Sequence, residues 1–208
     1  MDFYFGLAQI IGVHTLLGLS AYIVLLTGQV SLAQAGFFAV GAYAAGMLTV
    51  LAGWAILPAL AVSSLLGAVV ACAVSFPALR VKGLMLVIAT LAFGEAVRLF
   101  FFNFDYQVAK GGVKLGPVSG EGFRQIRYFP EHGWTTMEVM LFIWGFVALT
   151  MALLWWFDRS RYGAVLRAVG EDELAAQSVG VNLTAMKVSA MTVGGAIAGL
   201  GGGIYAHY

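Results

Sequence analysis

The sequence predicts an all-α, polytopic transmembrane bundle of about six spans, and three observations carry that reading. Of 208 residues, 61% are hydrophobic and only 10% charged, against roughly a quarter charged in an ordinary globular domain. Apolar runs near the roughly 20 residues that cross a bilayer recur along the whole chain. The charge is gathered between them: Asp158, Arg159, Arg161, Arg167, Glu171, Asp172, Glu173 and Lys187 fall in one stretch with apolar runs on both sides. That stretch, 158–187, reads as an aqueous loop within a single membrane domain covering 1–208.

The first run, Gly6 to Leu26, has one titratable group, His14, which a neighbouring helix can satisfy by hydrogen bonding. Met1 to Phe5 carries Asp2 and no Lys or Arg, and the following run is too long for a signal-peptide core, so it is expected to be a span. Gln29 to Trp54 is less regular. Ser31 and Gln34 interrupt its start, and Ala35, Ala39, Ala42 and Gly46 mark a close-packing face. Two readings stand: a buried small-residue helix, or a discontinuous helix whose Gln29, Ser31 and Gln34 would border a transport pathway. Ala55 to Ser75 is an apolar span with Pro58 near its start, and Phe76 to Gly83 is a turn carrying Pro77, Arg80 and Lys82.

Leu84 to Phe102 contains Glu95 and Arg98. Ionisable groups inside a span are costly, and three-residue spacing puts these two on one helix face, where they can pair as a structural or a functional couple. Residues 103–136 form a polar connection rich in turn signals (Gly111-Gly112, Gly116-Pro117, Ser119-Gly120, Phe129-Pro130), read as an extracytoplasmic loop. Met137 to Phe157 closes on Trp155-Trp156 beside Asp158 and Arg159, the aromatic and charged edge of a membrane span. Within the charged stretch, Tyr162 to Val169 and Glu171 to Val179 read as helices separated by Gly170, with Gly180 as a stop. The second would open with acidic residues at its positive dipole end and present a small surface of Ala175, Ala176 and Gly180. The last span, Met186 to Tyr205, carries Gly195, Gly199 and Gly203 on one face, a helix-packing pattern.

Three segments together resemble the permease subunits of branched-chain amino acid importers of the ABC type. They are Gly28 to Gly46 (GQVSLAQAGFFAVGAYAAG), Leu79 to Arg98 (LRVKGLMLVIATLAFGEAVR) and Arg161 to Lys187 (RYGAVLRAVGEDELAAQSVGVNLTAMK). The resemblance implies that the charged stretch is a cytoplasmic coupling loop. Glu173, Ala175, Ala176 and Gly180 would then contact a separate ATPase. It further implies a second permease subunit, two ABC ATPase subunits, an extracytoplasmic solute-binding protein and a location in the bacterial inner membrane. Family members usually continue through further spans, so a truncated copy is expected. Relatives commonly carry Thr-Gly-Gly and then Asn-Gly or Asp-Gly in the extracytoplasmic loop. This chain keeps Gly111, Gly112 and Gly116 but has Lys110 and Lys114 beside them, a departure that leaves the solute open; the resemblance alone implies branched-chain amino acids as the leading solute, with urea, short amides and organic acids as neighbours.

The residues also exclude functions. A net charge of +1 does not suit nucleic-acid binding, and no phosphate-binding glycine loop with its lysine occurs, so no ATP hydrolysis by that route is expected. Cys72 stands alone, and His14, His132 and His207 lack metal-ligand spacing, so neither a metal nor a cofactor is expected. Two other classes stay open: an ion-coupled secondary transporter using Glu95, and an assembly scaffold without transport. Arg80 and Lys82 should share a side with Arg159, Arg161, Arg167 and Lys187, which the positive-inside rule puts in the cytoplasm.

Overall fold

A computed structural model of the chain describes residues 2–110, 113–124, 126 and 128–208. Five helices are long and apolar enough to cross a membrane, and a sixth is shorter. In chain order the long elements are α1 (Asp2–Leu25), α2 (Gln34–Val50), α3 (Ile56–Ala78) and α4 (Leu84–Phe102). A small sheet follows: β1 (Val108–Lys110), β2 (Val113–Val118) and β3 (Gly122–Arg124). Then come α5 (Tyr128–Glu131), α6 (Thr136–Asp158), α7 (Arg161–Glu171), α8 (Glu173–Ser178) and α9 (Leu183–Tyr205).

The short member is α2. Its 17 residues span about 25 Å at the α-helical rise, less than the roughly 30 Å of a hydrocarbon core. A non-helical stretch, Gln29 to Leu32, precedes it. That stretch is held from the side: the Thr90 hydroxyl of α4 accepts from Leu32 N–H at 3.1 Å, and Ser31 Oγ accepts from Ala33 N–H at 3.2 Å. The segment between the first and third spans is therefore one short continuous helix entered through a non-helical stretch.

Helix α9 is the hub, packing on α3, α2 and α1. Between helices in lipid there is no hydrophobic driving force, so close van der Waals approach of small residues has to hold them. Gly195, Gly199 and Gly203 face α3: a Cβ at Gly199 would lie 2.5 Å from the Ser63 carbonyl oxygen, and one at Gly203 2.6 Å from Ser63 Oγ. Ser64 Oγ adds a hydrogen bond to Ala196 O across the same seam. Two further faces of α9 are just as close. Gly202 abuts the Phe38 carbonyl of α2, and Gly194 abuts Ser20 O of α1, where a Cβ would sit at 2.7 Å.

The two ends of the bundle are distinct. At one end Glu173 meets Lys82 at 3.1 Å and Lys187 at 2.6 Å, which brings the α3–α4 turn, α8 and the start of α9 together. The end of α1 joins them, because Gly170 of α7 packs directly on Leu26 and Gly28. At the other end Gln9 donates to Thr136 O at 2.8 Å, Thr49 Oγ1 and His207 Nε2 are 2.8 Å apart, and Tyr128 OH accepts from Ile56 N–H. The sheet sits at this second end, where Gly120 N–H bonds the last carbonyl of α4 at 2.8 Å.

The sheet differs from the irregular connection expected for 103–136. It is antiparallel, in the order β1-β2-β3, with Val108 opposite Leu115 and Pro117 opposite Phe123. Its ladders are three residues long, too short for a readable alternation, and tertiary anchors set them: Tyr106 N–H donates to Pro117 O at 3.1 Å, and Gly116 at φ +135° packs on the Tyr106 carbonyl. Gly111 and Gly112, the glycines used above to weigh the solute, lie outside the described residues.

Candidate functional site

The charged stretch folds into α7 and α8 packed under the bundle. Ser160 caps α7 by accepting from Gly163 N–H at 3.3 Å, and Arg167 bonds Asp158 through both its carboxylate and its carbonyl oxygen. Leu166 and Val169 are buried, and Leu166 belongs to the cluster of Ile23, Val24, Phe37 and Met191. One face of α7 is thus part of the core. The helix runs through Gly170, which the sequence suggested as the separator; this glycine is needed for contact with α1, and the break falls at Asp172 with φ −150° and ψ 105°.

Asp172 makes the second helix. Its carboxylate accepts from Leu174 N–H at 2.8 Å and Ala175 N–H at 3.0 Å, satisfying two of the orphan amides of α8. Gly180 ends the turn at φ +87°, where side-chain-bearing residues are strained. The chain then enters α9 behind Asn182, whose side chain accepts from Ala185 N–H at 3.0 Å.

The four residues assigned to ATPase contact therefore occupy different settings. Ala175 and Gly180 are exposed, and a Cβ at Gly180 would meet open space. Ala176 is buried, which corrects its placement on an outward small-residue surface: the one-turn helix rotates it toward the chain. Glu173 also turns inward. Lys187 and then Lys82 hydrogen-bond its carboxylate and hold it below the usual carboxylate range. The outward face instead carries Leu174 and Val179, each 79% exposed. No apolar stripe marks them, since six helical residues are too few for a period.

The other candidates cluster around α2 and α4. Gln29 is buried and 3.4 Å from Thr27 Oγ1. Ser31 is spent on the local turn. Gln34 is only 4% exposed, and neither of its amide atoms has a hydrogen-bond partner among the described residues. A buried primary amide left unpaired costs roughly 1–3 kcal/mol, so Gln34 is the member of this group whose burial packing alone does not explain.

Glu95 and Arg98 pair in a two-pronged contact, Nε to Oε2 at 2.8 Å and Nη2 to Oε1 at 2.6 Å. The pair lies roughly 17 Å along α4 from its start, on a helix of which only Leu86 and Thr90 are buried, with side chains 53% and 60% exposed. Removing one partner strands the other at membrane depth, at about 2.5–3.5 kcal/mol on the insertion scale. Glu95→Ala and Arg98→Ala are each expected to lower the yield and melting temperature of the membrane protein, and the double variant to lose less than either single one. Additive losses in that cycle would show that the two side chains act independently.

Comparison with known proteins gives these features a family. Residues 3–208 match the model described as branched-chain amino acid transport system, permease component. The high-affinity branched-chain amino acid transport system permease protein LivM of Salmonella typhimurium is 30% identical over 214 residues, covering 93% of this chain and 50% of that protein. LivM of Escherichia coli is 29% identical over 220 residues, covering 96% and 51%. A nucleoside ABC transporter permease protein, NupC of Lactococcus lactis, is 38% identical over 65 residues, 30% of this chain and 20% of its own length. The chain spans about half the length of the LivM relatives it matches. No solved structure matches it significantly. With its apolar helices and its capped α7–α8 segment, the chain is a multi-pass membrane protein that belongs to the branched-chain amino acid transport permease family.

Proposed function

We propose that the chain is a permease subunit of an ATP-binding-cassette importer that passes a small polar solute, with branched-chain amino acids as the leading class, and does no chemistry of its own. The observation that carries this reading is the α7–α8 segment. It is a folded, aqueous knob whose inner face packs on the ends of α1, α6 and α9 and whose outer face offers Leu174, Ala175 and Val179. Such a body transmits a push from an ATPase to the ends of three membrane helices. The non-helical entry to α2, with Gln34 buried and unpaired at the helix start, is the place where backbone and amide groups meet the solute. A second permease subunit, two ATPases and an extracytoplasmic binding protein complete the assembly. Arg98 holds the Glu95 carboxylate in a two-pronged contact, which leaves an ion-coupled carrier without a free acid on α4.

The test is uptake by the full-length permease co-reconstituted with its partner subunit, ATPases and binding protein. Leucine, isoleucine or valine should accumulate only with ATP and binding protein present, and collapse of proton and sodium gradients should leave the rate unchanged. Uptake that follows an ion gradient without ATP would overturn the proposal.

Orientation gives a separate check. With the α7–α8 end in the cytoplasm, the sheet end and Ser119 face outward. In a Cys72→Ser background, Ser119→Cys should react with an impermeant thiol reagent in intact cells and Gln177→Cys should not. The reverse labelling would invert the topology.

A further inference from the structure

Between the Gln29–Val30 stretch, the α3–α4 turn and α8 lies a cavity of about 300 Å³, at the lower end of the range for small-molecule sites. Its polar wall is Gln29, Lys82, Glu173 and Lys187, and its apolar wall includes Leu86 and Val87. The two lysines differ. Lys187 is 8% exposed and anchors Glu173 Oε1 at 2.6 Å, whereas Lys82 is 79% exposed and reaches Glu173 Oε2 at 3.1 Å. A bridge with one partner so exposed contributes little, because water screens it and ordering a long side chain opposes it. Gly83, which begins α4 without any capping side chain, lines the same cavity.

We infer that this cavity binds a zwitterionic α-amino acid with an aliphatic side chain. The ligand's ammonium takes the place of Lys82 on Glu173 Oε2, its carboxylate takes the freed Lys82 ammonium, and its side chain lies against Leu86 and Val87. The exchange is balanced in charge: one exposed ion pair opens and two close. Lys187 keeps Glu173 in place throughout. The inference rests on the importer reading for the choice of solute, and it adds a site on the ATPase side of the membrane, where delivered solute would collect. Because Glu173 belongs to α8, occupancy and the seating of the coupling segment are linked.

Equilibrium binding of leucine to the permease–ATPase complex, prepared without binding protein and without ATP, tests this. Leucine should bind, while 4-methylpentanoate, which lacks the ammonium, and isopentylamine, which lacks the carboxylate, should each bind at least about tenfold more weakly. Lys82→Ala should weaken leucine about tenfold and Lys82→Arg should restore it; Lys82 is 79% exposed and Lys187 still holds Glu173 without it, so the fold is expected to survive both substitutions. No leucine binding, equal binding by Lys82→Ala, or equal binding of 4-methylpentanoate would overturn the inference. ATP-driven uptake measured on the same preparations with binding protein added separates the two claims. Normal uptake without this binding removes the cavity site alone, and binding without ATP-driven uptake removes the importer reading alone.

Discussion

Gly202→Leu and Gly199→Leu are expected to abolish recovery of folded protein, while Gly145→Ala leaves it unchanged or slightly improved. Helix α9 runs between α2 and α3 with backbone against backbone. A Cβ at Gly202 would overlap the Phe38 carbonyl, one at Gly199 would press on Ser63 O, and one at Gly41 would overlap the Gly199 carbonyl from the other side. A clashing side chain can change rotamer, but a carbonyl inside a packed helix can move only with its helix. Overpacking a core costs roughly 1–3 kcal/mol when side chains yield; here it should exceed that. Gly145 of α6 has nothing within 4 Å of an added Cβ, so alanine there should gain about 0.5–1 kcal/mol of helix propensity. Thermal stability by fluorescence-detected size exclusion checks the contrast. A Gly202→Leu protein as stable as Gly145→Ala would mean that α2 and α9 are not in backbone contact.

The glycines also show what could be read in the sequence and what could not. Gly195, Gly199 and Gly203 are legible because one packing face repeats every four residues. Gly194, Gly201 and Gly202 serve other faces of the same helix, and overlapping patterns on one helix blur each other. Spans and charged stretch were legible because lipid imposes length and apolarity. Ser31 and Gln34 mark an irregular start to the second apolar run, which the structure resolves as a non-helical stretch before one continuous helix; the burial of Gln34 without a partner left no mark in the sequence. Pairing at a distance left no trace: Lys82 and Glu173 are 91 positions apart, and nothing in either neighbourhood marks the other. The inward turn of Glu173 and Ala176 depends on where α8 begins, which one side chain, Asp172, decides.

That turn determines which substitutions would report on the proposed ATPase contact. Ala175→Arg and Leu174→Asp are expected to release the ATPase while leaving the permease inserted and folded. Both side chains point away from the bundle, and the cap of α8 uses the Ala175 and Leu174 amides, which the substitutions keep. A large or charged group in a close-packed contact costs about 1–3 kcal/mol, and each 1.4 kcal/mol is tenfold in affinity, so co-purification should fall by about five- to 150-fold. Ala176→Arg would instead force a cation into the chain's own packing and lower the yield of folded protein, and Gly180→Trp would add backbone strain at φ +87° to any loss of contact. Neither reads docking alone. Glu171→Gln, at the exposed end of α7, should change little. The measurement is recovery of the ATPase with the tagged permease in detergent, normalised to permease recovered as a monodisperse peak. If Ala175→Arg and Leu174→Asp retain the ATPase at the wild-type ratio, the outer face of α8 is not the docking surface, and α7 and α8 serve only to seal the end of the bundle.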